Sequence, residues 1–164
     1  MAGLFLILGL HFGLGAPLLA YSVHTIFLVV ISAIDLRHRF VYAVVVYPAL
    51  VLALLLTPAL TDTSLLATIV GLIAGLATFA AFYVGGRLLY RGKEPLGKGD
   101  IELGALMGAM VGFPRVVNAL FLGSVVNALF IAVLLLAHRR GRRDFVPYGP
   151  GLCLGAFATF FLSP

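Results

Sequence analysis

From Gly3 to Ile34 the chain runs for thirty-two residues without an aspartate, glutamate, lysine or arginine. A helix needs about 20 mostly apolar residues to cross the hydrocarbon core of a bilayer, so this run exceeds one span. The whole chain is written in the same way. Of its 164 residues 62% are hydrophobic and 10% are charged, with a mean hydropathy of +1.15. A soluble domain has about 45 to 50% apolar and 25% charged residues, so lipid rather than water is the main solvent.

Gly13, Gly15 and Pro17 break the first run. It divides into a short N-terminal segment, about Gly3 to Gly15, and a span from about Leu18 to Asp35. Further spans are expected at about Val41 to Leu56, Leu65 to Tyr90, Asp100 to the residues before Pro114, Val116 to Ala137, and Gly151 to Leu162. Proline disfavours helix at Phe113 and so stops the span that begins at Asp100. The expected fold is all-α, a polytopic transmembrane helix bundle of six core spans plus the short N-terminal segment. It forms one integral membrane domain over 1–164, with 1–17 as the N-terminal segment and 18–164 as the core. No repeat of about 20 to 50 residues appears, which excludes a solenoid. The start lacks a positive n-region and apolar sequence continues after it, so no cleaved signal peptide is expected.

The pI near 9.8 raises the question of nucleic acid. The basic residues, however, sit in short loops between spans rather than on one solvated face, so no nucleic-acid partner is expected and the bilayer is. Arg37, Arg39, Arg87, Arg91, Lys93, Lys98, Arg139, Arg140, Arg142 and Arg143 fall on one side, and Arg115 alone on the other. Ten against one makes the first side cytoplasmic. The RRGRR run is then a topology signal that attracts anionic lipid.

Two of the six acids stand apart on this map. Asp35 ends a helix descending to the cytoplasm, and Asp100 starts one rising from it. Acids inside or at the edge of hydrocarbon are functional candidates by default, and these two lie 65 residues apart in sequence at one depth. Asp62, Glu94 and Asp144 belong to loops, and Glu102 points to another face of its helix. Two carboxyls held close in a low dielectric cannot both ionise, so they share a proton. The ionised member can then activate water while its partner polarises a carbonyl. Gly97 and Gly99 leave the backbone before Asp100 bare, which suits the approach of an extended substrate strand.

The residues GKGD followed by IELGALMGAMVG resemble the GxGD motif and following helix of type IV prepilin peptidases and preflagellin peptidases, the A24 family of intramembrane aspartic proteases. SAIDLRHRF is similar to that family's other aspartate motif, and FVPYGPGL to its late Pro-Phe-Gly-Pro signature. The resemblance covers about Leu18 to the end. It implies that Asp35 and Asp100 are the catalytic pair and that the chain is an aspartic endopeptidase of the inner (plasma) membrane. It would hydrolyse the leader of prepilin-like proteins at the cytoplasmic face, usually just after a glycine. Where the family commonly has Ile-Pro-Asn this chain has Val41, Tyr42 and Ala43, and Glu102 stands where a lysine is common. Larger members carry an N-methyltransferase insert with paired cysteine motifs, and nothing comparable fits between Gly15 and Leu18. The implied activity is therefore proteolysis without methyl transfer, zinc or any other cofactor.

Two other readings compete. A noncatalytic member of the same fold would act as a membrane assembly scaffold. A proton-coupled carrier would use the paired acids as a relay, although carriers tend to show internal repeats and midplane sites. Asp100 taken alone is also a plausible helix N-cap, and Asp35 alone a partner for Arg37 or Arg39. Gly104, Gly108 and Gly112 share a helix face, and Gly71 and Gly75 repeat the same spacing; both read as packing surfaces. His11 and His24 are expected to hydrogen-bond neighbouring helices, and no metal-ligand spacing surrounds them. Cys153, the single cysteine, reads as a packing residue. Tyr148, Pro147 and Pro150 either shape a substrate entrance or start the last helix.

Overall fold

A computed structural model describes residues 2–38, 40–89, 97–136 and 148–162, and all seven elements among them are helices. They are α1 (Ala2–Phe12), α2 (Ala16–His38), α3 (Ala43–Leu60), α4 (Leu65–Leu89), α5 (Lys98–Val111), α6 (Arg115–Leu136) and α7 (Gly149–Thr159). Their order and approximate limits follow the apolar runs. Gly13 has φ +64, a left-handed conformation that side chains other than glycine's resist, and it separates α1 from α2. Arg39, residues 90–96 and residues 137–147 lie outside the described residues, so the expectations resting on Arg91, Lys93, Arg139, Arg140, Arg142, Arg143 and Pro147 do too.

Among the described residues four helices, α2, α3, α4 and α6, are long and apolar enough to cross a membrane. The six expected core spans are therefore of two kinds. α5 has 14 residues and α7 has 11, or about 21 Å and 16 Å at 1.5 Å per residue, less than the ~30 Å core. α5 has no need of lipid-matching length, because protein encloses it: every residue from Leu103 to Val111 is buried, against α3, α4, α6 and α7. α3 in turn runs past Leu56 to Leu60 with Pro48 and Pro58 inside it. Proline deprives a helix of one backbone bond per site, a loss that membrane helices tolerate among packed neighbours. Thr61 then closes α3, its N–H and Oγ1 both donating to the Thr57 carbonyl at 3.1 and 2.6 Å.

The expected small-residue surfaces turn out to be the two halves of one contact. α4 and α5 run antiparallel, with Gly71 facing Gly108 and Gly75 facing Gly104. A methyl group added at Gly104 would lie 2.9 Å from the Gly75 carbonyl oxygen, and one at Gly108 would lie 3.0 Å from the Leu72 nitrogen. The far end of α5 is pinned as well. The Phe113 N–H donates to the Ala67 carbonyl at 2.9 Å, and Gly112 turns the chain at φ +71. A second contact of the same kind, absent from the sequence reading, joins α6 and α7. There a methyl at Gly123 would lie 2.9 Å from Leu152 Cα, and one at Gly155 2.6 Å from Gly123 Cα.

Both histidines depart from expectation. His24 is fully buried, and neither of its ring nitrogens has a hydrogen-bond partner among the described residues. It packs instead near the rings of Tyr21 and Phe160, at centroid distances of 6.3 and 6.1 Å. His11 is exposed and lies edge-on to Phe12 and Phe161 at 4.7 and 5.1 Å. Aromatic packing takes the place of the expected interhelical hydrogen bonds.

Because α4 and α5 meet backbone to backbone, Gly75→Val should destabilise the bundle by about 3 kcal/mol or more in a denaturant titration in micelles. Gly9→Val, where an added side chain meets nothing within 4 Å, should leave the midpoint unchanged.

Candidate active site

Asp35 and Asp100 come from different helices and arrive at one end of the bundle. Asp35 lies in the last turn of α2 and is 4% exposed; Asp100 lies in the first turn of α5 and is 9% exposed. They are within electrostatic reach of each other. The side assignment of the basic residues is consistent with this geometry. Arg37, Arg87 and Lys98 stand at the end of their helices where the acids lie, and Arg115 stands at the other, its Nη1 donating to Thr63 Oγ1 at 3.4 Å.

Asp35 is held by a group that the sequence reading missed. The backbone N–H of Gly149 donates to its Oδ2 at 2.9 Å, across 114 positions of sequence. A methyl at residue 149 would lie 2.7 Å from the same oxygen, so glycine is the residue that admits the carboxylate. Tyr148 is the N-cap of α7 and Pro150 stands in its first turn, so this segment starts the last helix and does so beside Asp35. Buried Asn127 of α6 anchors the start, its Nδ2 donating to the Tyr148 carbonyl at 2.9 Å. The late motif drew attention to this segment. That a backbone amide was its contribution had no signal in side-chain text.

Asp100 is not the N-cap of α5. That position is Gly97, with φ −68 and ψ 142, and Asp100 is the third helical residue, its N–H donating to the Gly97 carbonyl at 3.1 Å. The Gly97 amide faces back toward the Asp100 carboxylate, the reach-back half of a capping box. The two expected substrate glycines have different surroundings. Gly97 is exposed, and among the described residues a methyl there would meet Asp100 Oδ2 alone, at 3.4 Å. Gly99 is half-buried, and a methyl there would lie 2.8 Å from Val41 Cβ. Glu102, on another face, accepts a hydrogen bond from Tyr47 Oη at 3.0 Å.

Electrostatics favours this assembly. The amino ends of α5 and α7 both open onto the acids, and each carries roughly half a positive charge. Asp35 stands at the unfavourable carboxyl end of its own helix, so the α7 amide is what compensates it. Among the described residues no group of three or more His, Cys, Asp or Glu gathers in metal-ligating geometry. The arrangement is suited to proton exchange between two carboxyls beside the exposed backbone of Gly97.

The fold and this pair of acids define a multi-pass helical membrane protein with an acidic centre at one end of its bundle. The chain belongs to the type IV leader peptidase family, whose model matches residues 22–133. Both acids fall inside that range and Gly149 lies beyond it. The chain is 31% identical over 157 residues to the prepilin leader peptidase/N-methyltransferase of Xanthomonas campestris pv. campestris, covering 92% of this chain and 52% of that protein. It is 35% identical over 155 residues to the protein of the same name from Burkholderia pseudomallei, covering 93% and 46%. For the Bacillus subtilis protein of that name the identity is 27% over 165 residues, covering 97% and 62%. The chain thus spans about half the length of the first two relatives. No solved structure matches it.

The contact between residue 149 and Asp35 makes a coupled pair. Gly149→Ala should destabilise the protein when Asp35 is present and much less in Asp35→Ala. The double-mutant cycle, read by unfolding in micelles, should give a coupling of about 1 kcal/mol or more.

Proposed function

We propose that the protein is an intramembrane aspartic endopeptidase that removes the leader of prepilin-like proteins at the cytoplasmic face of the inner (plasma) membrane. The observation that carries this reading is the convergence of Asp35 and Asp100 at one end of the bundle, against the amino ends of α5 and α7. The ionised carboxylate takes a proton from water, and the water oxygen attacks the scissile carbonyl carbon. The protonated carboxyl donates its hydrogen bond to the carbonyl oxygen, which becomes a hydroxyl of the tetrahedral intermediate. Collapse of that intermediate breaks the C–N bond: the amine leaves with a proton from one carboxyl, a hydroxyl of the intermediate returns its proton to the other carboxylate as the C=O re-forms, and the pair again holds one proton for the next turn. The Gly149 amide holds Asp35 in place throughout.

Gly97 and Gly99 form the strip along which the substrate backbone approaches. Gly97 offers open backbone beside the carboxylate, while Gly99 lets the start of α5 lie close against Val41. The excess of arginine and lysine at this end supports its cytoplasmic location. Family membership supports a substrate with a short basic leader ahead of an apolar helix. The two departures at Val41–Ala43 and Glu102 are compatible with activity: Val41 packs on Gly99 and Glu102 bonds Tyr47, and neither contact involves a carboxylate of the pair.

Cleavage of a co-expressed prepilin-like substrate tests the assignment. Wild type should process it, whereas Asp35→Asn and Asp100→Asn should each lose activity by about a hundredfold or more at unchanged membrane abundance. Glu102→Gln should stay within about threefold of wild type, as expected of a group outside the reacting atoms. If wild type cleaves no better than the two asparagine variants, the protein is a scaffold and the peptidase reading fails.

A further inference from the structure

The amide that meets Asp35 is one half of a peptide unit, and the other half is held as well. The Tyr148 carbonyl and the Gly149 N–H belong to the same planar trans group, in which they point in opposite directions. On one side the Gly149 N–H donates to Asp35 Oδ2 at 2.9 Å. On the other, Asn127 Nδ2 donates to the Tyr148 oxygen at 2.9 Å. A single peptide plane is thus strung between a side chain of α6 and a side chain of α2. The ladder of α7 does little to fix that plane, since its first bond, from the Leu152 N–H to the same oxygen, is long at 3.4 Å.

Asn127 has a fitted seat. It is 3% exposed and stands one turn beyond Gly123, where α6 and α7 meet backbone to backbone. Gly151 completes the seat: a methyl at that position would lie 2.7 Å from Asn127 Nδ2, so the carboxamide occupies the space a side chain there would need. Burying a carboxamide among apolar helices is costly unless it is bonded. The group it bonds here is the peptide that faces Asp35.

We propose that Asn127 is a positioning residue for the reaction, setting the place and direction of the Asp35 carboxylate through the Tyr148–Gly149 peptide. The proposal rests on the peptidase reading and adds to it a residue outside the pair of acids. Two effects act together. Fixing the carbonyl fixes the N–H in the same plane, and donating to the carbonyl polarises the N–H, which strengthens its bond to the carboxylate. Displacing a reacting group by about 1 Å can cost on the order of a hundredfold in rate, so a link of this kind reaches the chemistry without contacting the substrate.

The test uses the full chain in micelles. Asn127→Leu keeps the volume and removes the donor, while Gly151→Ala keeps Asn127 and pushes its carboxamide aside. Each should lower kcat by about tenfold or more with KM within about threefold of wild type. Gly151→Ala added to Asn127→Ala, where the space is free, should cost no further activity. Leu8→Ala, at a fully buried position of α1, should lose stability and keep kcat.

A second arm needs no turnover. Amide exchange followed residue by residue by NMR should be about tenfold or more faster at Gly149 in Asn127→Leu, while the amides of α5 keep their wild-type rates. Unchanged exchange at Gly149, a uniform rise across all helices, or an unchanged kcat against an active wild type each overturns the proposal and leaves the peptidase reading standing. If wild type cleaves nothing, the peptidase reading falls. Faster exchange at Gly149 alone then keeps Asn127 as the holder of Asp35, and unchanged exchange removes that role too.

Discussion

The close approach of α4 and α5 is the constraint on which the rest depends. Lipid tails are as apolar as leucine, so helices in a bilayer gain little by hiding apolar surface from one another and associate through contact area and backbone proximity. Gly71, Gly75, Gly104 and Gly108 remove the side chains that would hold the two backbones apart. The result is that α5 is surrounded by protein from Leu103 to Val111. A helix so enclosed can begin with an acid and be shorter than the membrane is thick, because lipid meets little of either.

The second requirement is charge. An acid at the carboxyl end of α2 opposes the dipole of that helix, and burial makes the opposition worse. The fold answers by aiming α7 at it. A glycine at the start of α7 brings an amide hydrogen within bonding distance of Asp35, and Asn127 holds the preceding carbonyl so that the turn cannot slip. With the start of α5 turned toward Asp100, two positive helix ends meet the pair of acids at one end of the bundle.

Much of this was readable before any coordinates. Uncharged runs marked α2, α3, α4 and α6, because membrane solvent leaves an uninterrupted record in composition. The depth of Asp35 and Asp100 followed from the lysine and arginine count. The four-residue glycine spacings announced close contacts, though not that one half would meet the other. The rest had no such record. Gly149 acts through its backbone, which every residue possesses, and its partner lies 114 positions away. α3 was expected to stop at about Leu56, yet the helix runs on through Pro58 to Leu60. His24 was expected to seek a polar partner, and it sits among aromatic rings instead.

One detail at the opposite end of α5 reaches the acidic centre. The Phe113 amide ties the top of that helix to Ala67, and the glycine seam below fixes its rotation. α5 therefore works as a measuring rod hung from the end of the bundle opposite the acids, with Asp100 near its lowest mark. Lengthening the rod by a single residue would lower that mark by about 1.5 Å and swing it by roughly 100° about the axis, away from Asp35. The number of residues between Asp100 and Phe113 is thus itself a piece of the acidic centre.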